Sequence, residues 1–112
     1  MNTVQPIRDL GKVNDIYDYL SSQNKRNGLL FAFGIYTGLR ISDILCIKVR
    51  QVRNQKYLSI RERKTGKEKN IRLNQFLKEK IDVYIADMKN YEYLFYGEKK
   101  TKPMTRQQAY NI

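Results

Sequence analysis

Apolar residues recur at helical spacing early in the chain, at Val13, Ile16, Tyr17 and Leu20 after Leu10, with Asp9 or Asn14 available as a cap. Polar Ser21-Ser22-Gln23-Asn24 interrupts that pattern. From about Lys25 to Tyr36 the chain is polar at the front and then apolar on every side, through Leu29, Leu30, Phe31, Ala32, Phe33 and Ile35. A helix apolar all round is a central one, covered by its neighbours. Thr37-Gly38 ends it, the glycine being suited to a left-handed cap. A short helix is expected from about Ile41 to Cys46, with Ser42 and Asp43 in its first turn.

The pattern then changes period. Ile47 to Val52 is β-prone, and Tyr57-Leu58-Ser59-Ile60-Arg61 and Lys69-Asn70-Ile71-Arg72-Leu73 alternate as strands do. Lys64-Thr65-Gly66-Lys67 supplies the turn of a hairpin between the last two. Asn74 is placed to cap a long amphipathic helix with a buried stripe of Leu77, Ile81, Tyr84, Ile85 and Met88. After the short apolar segment Tyr93-Leu94-Phe95-Tyr96 come a basic loop, Gly97 to Pro103, and a helix capped by Thr105 that is still running at Ile112. These elements predict an α+β domain, mainly helical with a small three-stranded antiparallel sheet. Residues 1–112 read as one domain, and a last helix without a stop signal suggests a piece of something longer.

Charge sharpens the picture. With 22 Lys plus Arg against 11 Asp plus Glu, the net charge is +11. Self-repulsion of that size is usually offset by a polyanion, most often nucleic acid, although a ribosome or an anionic membrane surface would also serve. The single cysteine, Cys46, excludes an internal disulfide and a thiolate cluster, and behind Ile44-Leu45 it reads as a small buried hydrophobe. The chain has no histidine, so the usual general base and the commonest metal ligand are missing. Neither a metal nor a cofactor is expected. No signal-peptide pattern opens the sequence, and the longest apolar run, Gly28 to Tyr36, is too short to span a bilayer. A cytoplasmic protein with no membrane partner is the default expectation.

Arg40 leads the candidate residues. It stands between apolar Leu39 and Ile41 at the junction of two helices, just after a glycine break, an arrangement that holds a guanidinium rigidly before a phosphate. Asp43, three residues on, is expected to pair with that guanidinium and orient its fork, leaving other donors for an anion. Lys64 is second: by strand parity it shares a face with Leu58 and Ile60, and a cation at the hairpin tip could reach an anion held by Arg40. Glu62 has the same parity. The remaining cations form two clusters able to track a phosphate backbone, Arg61, Arg63, Lys67, Lys69 and Arg72 on the hairpin and Lys99, Lys100, Lys102 and Arg106 near the end. Thr105 could add a contact to phosphate. Most of the nine tyrosines fall on apolar stripes and read as core or rim. A phosphate-loop reading of Lys64-Thr65-Gly66-Lys67 fails, because the glycine spacing and the following helix are absent.

Together, Tyr36-Thr37-Gly38-Leu39-Arg40-Ile41-Ser42-Asp43-Ile44-Leu45, the Lys64-Thr65-Gly66-Lys67 hairpin ending in Ile71-Arg72-Leu73, and Pro103-Met104-Thr105-Arg106-Gln107-Gln108-Ala109-Tyr110 resemble the catalytic domain of the tyrosine recombinases, or phage integrases. The likeness runs from about Val4 to the end. It implies a site-specific recombinase in which a tyrosine attacks the scissile phosphate of double-stranded DNA and a second strand's 5′-hydroxyl later reverses the link. Arg40 would then be the first transition-state arginine and Lys64 the general acid on the leaving 5′-oxygen. The family's second box, with its histidine and arginine, and its late nucleophilic tyrosine have no counterpart here. Residues 1–112 are therefore expected to be an incomplete catalytic domain, inactive alone, of an enzyme acting as a tetramer on paired sites. Two alternatives stay open: a small basic DNA-binding accessory module without chemistry, and a protein that binds RNA or a protein partner.

Overall fold

A computed structural model describes residues 10–111. The elements run α1 (Leu10–Gln23), α2 (Lys25–Thr37), α3 (Ile41–Ile44), a 3-10 turn (Val49–Gln51), β1 (Tyr57–Arg61), β2 (Glu68–Arg72), α4 (Gln75–Tyr84) and α5 (Arg106–Tyr110). Asn14 lies within α1 rather than capping it, and Asp9 falls outside the described residues. Between the first two helices Asn24 is the cap, accepting a hydrogen bond from the Arg26 amide in a single-residue break. Central α2 packs on α1, α3 and α4. Its Leu29, Leu30, Ala32 and Phe33 are buried, but Phe31 and Ile35 are only partly so, and the helix is covered on most sides rather than all round. Phe33 meets Phe95 edge to face, with ring centroids 5.6 Å apart.

The sheet has two strands, not three. β1 and β2 are antiparallel, with Leu58 opposite Ile71 and Ile60 opposite Lys69. Residues 47–52 bond elsewhere. Val49 and Arg50 donate to the carbonyls of Glu92 and Asn90, and Leu94 donates to Ile47, so this stretch is tied to the 90–94 segment. The chain then closes into the 3-10 turn, Gln51 donating to the Lys48 carbonyl at 2.9 Å, and cannot run along the hairpin edge. The β-prone residues are still buried, with Ile47, Val49 and Val52 among the least exposed side chains. Their hydrophobicity serves the core without a ladder.

Two helices are shorter than their patterns suggest. α4 begins at the Asn74 cap, whose side chain accepts from the Leu77 amide at 2.8 Å, but ends at Tyr84. Ile85 and Met88 remain in the core through a turn, and the Arg53 guanidinium collects their carbonyls at 2.9 and 2.6 Å. Those carbonyls would otherwise be left open at a helix end. Half-buried Tyr84 donates its hydroxyl to the Leu94 carbonyl at 2.8 Å, and burial pushes its phenol well above the usual range. α3 occupies only Ile41–Ile44. The turn after it directs Leu45 and Ile47 inward and leaves Cys46 exposed, contrary to the expectation of a buried thiol. Among the described residues no helix is long and apolar enough to cross a membrane.

Candidate nucleic-acid interface

The site is built around the bend between α2 and α3. Gly38 caps α2 in the left-handed conformation, φ 66° and ψ 14°, and its amide closes back on the Gly34 carbonyl. Thr37 tightens the exit: its hydroxyl donates to the Phe33 carbonyl at 2.7 Å and accepts from the Leu39 amide at 3.3 Å. Leu39 drops into the core, and the next residue is thereby turned outward. Arg40 is the N-cap of α3 in extended backbone, its carbonyl accepting from the Asp43 and Ile44 amides. Its side chain is 48% exposed. Apolar flanks and a left-handed cap thus put a cation on a rigid corner.

Asp43 faces inward instead. It is 4% exposed, and its Oδ1 accepts from the backbone amide of Arg63 at 3.0 Å, tying α3 to the hairpin. Its other oxygen has no partner among the described residues. The ion pair of Arg40 goes to Glu62, with Nη1 to Oε2 at 3.8 Å, so the acid three residues downstream is not the one that meets the guanidinium. Glu62 also accepts from the Thr65 hydroxyl at 2.9 Å and pairs with Lys69 Nζ at 3.2 Å. The Thr65 hydrogen bond, followed by Lys69, holds its carboxyl below the ordinary carboxylate range. Glu62 was legible in principle, since it continues the parity of Leu58 and Ile60 on the inward face.

That parity stops at Glu62. The Glu62 amide donates to the Lys67 carbonyl and the Gly66 amide to the Glu62 carbonyl, both at 2.8 Å, which closes a tight loop over residues 63–66. Gly66 makes this possible with φ 72°. Lys64 therefore sits on a turn, exposed, rather than on the extension of a strand face. Its ammonium has no partner among the described residues. The turn is held on both sides of it, by Asp43 through Arg63 and by Glu62 through Thr65.

The other cations divide. Arg61 is committed to the hairpin itself, donating to the Gly66 carbonyl at 2.7 Å and pairing with Glu68 at 2.6 Å, and Lys69 is engaged by Glu62. Lys67 and Arg72 are exposed, as is Arg63, whose guanidinium comes within 3.6 Å of the Cys46 sulfur. In the later cluster Lys99 and Lys102 are exposed, Lys100 lies 5.7 Å over the Tyr96 ring and Arg106 5.9 Å over that of Tyr110. Thr105 caps α5, its hydroxyl accepting from the Gln108 amide while the Gln108 side chain accepts from the Thr105 amide. α5 packs against α3, which brings the helix of Arg106 beside the bend, whereas Lys100 lies with Lys25 and Arg26 at the start of α2, the end of that helix away from Arg40.

A guanidinium on a glycine-capped corner, linked through buried acids to a basic hairpin, matches a family in sequence as well. Residues 9–112 fit the model of the phage integrase family. The chain belongs to that family, the tyrosine recombinases. It is 46% identical over 112 residues to the probable integrase/recombinase YoeC of Bacillus subtilis (strain 168), covering all of this chain and 62% of that protein. It is also 36% identical over 90 residues to the TnP I resolvase of Bacillus thuringiensis, covering 74% of this chain and 32% of that protein. The chain thus spans less than two thirds of the length of the curated relatives it matches. No solved structure matches it significantly.

Proposed function

We propose that these residues form the first part of the catalytic centre of a site-specific recombinase that breaks and rejoins double-stranded DNA. Arg40 contacts the scissile phosphate and stabilises the charge that develops on it, and Lys64 delivers a proton to the leaving 5′-oxygen. Fixed cations aimed at developing charge are worth most where the protein, not water, sets the geometry. The observation that carries this reading is the double tie between α3 and the hairpin, through Asp43 and Glu62, which supports Arg40 and the Lys64 turn from one acidic base. Asp43 is then a positioning residue for the hairpin. Arg63, Lys67, Arg72, Lys99, Lys100, Lys102 and Arg106 track the backbone, with Arg61, Lys69 and Thr105 in supporting contacts. The second box and the nucleophilic tyrosine of the family have no counterpart in residues 1–112, so this chain binds DNA but forms no covalent adduct by itself. The whole protein acts as a tetramer on paired sites, in the cytoplasm.

A duplex selected from a random pool, resynthesised with single neutral methylphosphonates, tests the arrangement. Arg40→Ala should spare most of the overall affinity while erasing the penalty for neutralising one particular phosphate. Removing several hairpin cations should weaken binding generally and flatten its salt dependence. Similar general losses from both variants would favour the accessory binding module without chemistry. A covalent adduct between this chain and a suicide substrate would overturn its inactivity alone.

A further inference from the structure

The ion pair of Arg40 is made by a residue that lies neither in its own helix nor in its own segment. Glu62 stands 22 positions along the chain, where β1 gives way to the turn. Its side chain is only 10% exposed, whereas those of Arg40 and Lys69, which it touches, are each 48% exposed. The acid therefore lies behind and the two cations in front, facing solvent. Its own place is fixed three times over. Its amide donates to Lys67, its carbonyl accepts from Gly66, and its Oε1 takes the Thr65 hydroxyl. Oε2 is left to the cations, Lys69 at 3.2 Å and Arg40 at 3.8 Å.

We propose that Glu62 is a positioning residue that sets Arg40 against the hairpin turn carrying Lys64, so that guanidinium and ammonium meet one phosphate at a fixed separation. This deepens the proposed function and rests on it. A guanidinium has five N–H donors, and Glu62 meets it at one nitrogen, so the opposite edge keeps donors for an anion. A solvated arginine would have to lose its rotamer freedom when the anion arrives, and the brace removes part of that loss beforehand. Thr65 and Lys69 hold the Glu62 carboxyl below the ordinary carboxylate range, so it is anionic at neutral pH. The arrangement has a cost that identifies it. An anion kept beside the phosphate site opposes general attraction of DNA, so removing its charge should move affinity and placement in opposite directions.

The test uses Glu62→Gln, which keeps the shape and an acceptor for Thr65 but removes the charge, and Thr65→Val, which keeps the charge but removes the hydroxyl that donates to Glu62 and accepts from the Lys67 amide at 3.2 Å. Two readings are taken: affinity for the selected duplex with and without the Arg40-dependent methylphosphonate, and the Nη–H signal of Arg40, the group that faces Glu62, in the free protein, assigned with Arg40→Lys. In the native chain neutralising that phosphate should cost about tenfold in affinity, the size of one charge-assisted contact. Glu62→Gln should bind the unmodified duplex at least as tightly, yet the penalty should fall to about two- to threefold, the size of an exposed unbraced pair. Its Arg40 signal should lose protection from exchange, and Thr65→Val should fall between. Native discrimination and an unchanged Arg40 signal in both variants would overturn the proposal. So would a uniform loss of affinity for modified and unmodified duplexes, which marks a purely structural role. Should Glu62→Gln fail to fold, Thr65→Val alone decides. If Arg40→Ala leaves every methylphosphonate penalty in place, the phosphate contact itself is wrong, a result independent of how Glu62 variants alter the Arg40 signal.

Discussion

Replacing Asp43 by alanine removes one hydrogen bond, and the structure bounds what that costs. The bond joins a carboxylate to a backbone N–H at 3.0 Å across twenty residues, from a side chain only 4% exposed. A bond to a charged group contributes about 1.5–3 kcal/mol net. Two features move the expectation to the low end. Arg63 is exposed, so water can satisfy its amide once the carboxylate is gone. The other Asp43 oxygen is buried without a partner, and its desolvation is relieved when the side chain is truncated. The net loss should be about 1–2 kcal/mol, which for a domain of this size lowers the melting temperature by about 4–8 °C. Hydrogen exchange locates the loss: the Arg63 amide should exchange about 5- to 30-fold faster, while amides of α2 change only with global stability. Asp43→Asn keeps an acceptor and should lose less than the alanine variant. Unaltered exchange at Arg63 in Asp43→Ala would refute the tie, whatever happened to the melting temperature.

Other perturbations probe the bend, the basic surface and the core. Gly38→Ala places a Cβ where no atom lies within 4 Å, so only the left-handed backbone at φ 66° is penalised, and denaturant unfolding should show a loss of about 1–2 kcal/mol. Replacing Arg63, Lys67 and Arg72, none of which holds an ion pair among the described residues, by glutamine should lower the slope of log K against log salt by about 2 to 3 for duplex DNA, read from affinities across a salt series. Tyr84 is held neutral by burial, with its folded value above the unfolded one. Its stabilisation is therefore fully present below the phenol's ordinary range and is lost as the pH climbs through and above about 10. Tyr84→Phe should lose about 1 kcal/mol at neutral pH with the Leu94 hydrogen bond, yet show a shallower alkaline decline in unfolding midpoint.

Local signals carried much of this architecture. The caps at Asn74 and Thr105, the glycine stop at Gly38 and the hairpin each follow from a few neighbouring residues, and the structure contains them all. What the pattern could not settle was decided by partners distant in sequence. Residues 47–52 have strand composition, but their amides are claimed by Glu92 and Asn90 rather than by β1. Cys46 follows two apolar residues, yet a four-residue α3 turns it outward. Spacing alone favoured Asp43 as the companion of Arg40, because three residues apart is adjacency on a helix. Arg40 precedes α3 as its cap, so the helical rule does not reach it, and the carboxylate points to the hairpin instead. Periodicity along β1 marked Glu62 as inward, but its pairing with Arg40 depends on how the hairpin lies over α3.

The placement of the acids is the strongest physical constraint on how this surface works. Among the described residues only two charged side chains are buried, Asp43 and Glu62, in a chain carrying twice as many cations as anions. Burying a carboxylate is unfavourable unless donors meet it, and a basic protein could satisfy its acids anywhere on its surface. Both buried ones instead lie beneath the same hairpin turn, one holding its backbone and the other its hydroxyl and two cations. A surface that only attracted DNA would gain by placing those anions elsewhere, since each weakens the local positive potential. Their cost is understandable if the separation between Arg40 and the Lys64 turn matters more than raw attraction. That is the requirement of a site that must meet one phosphate in a fixed geometry, and it is why loss of placement without loss of affinity is the decisive behaviour to look for in Glu62→Gln.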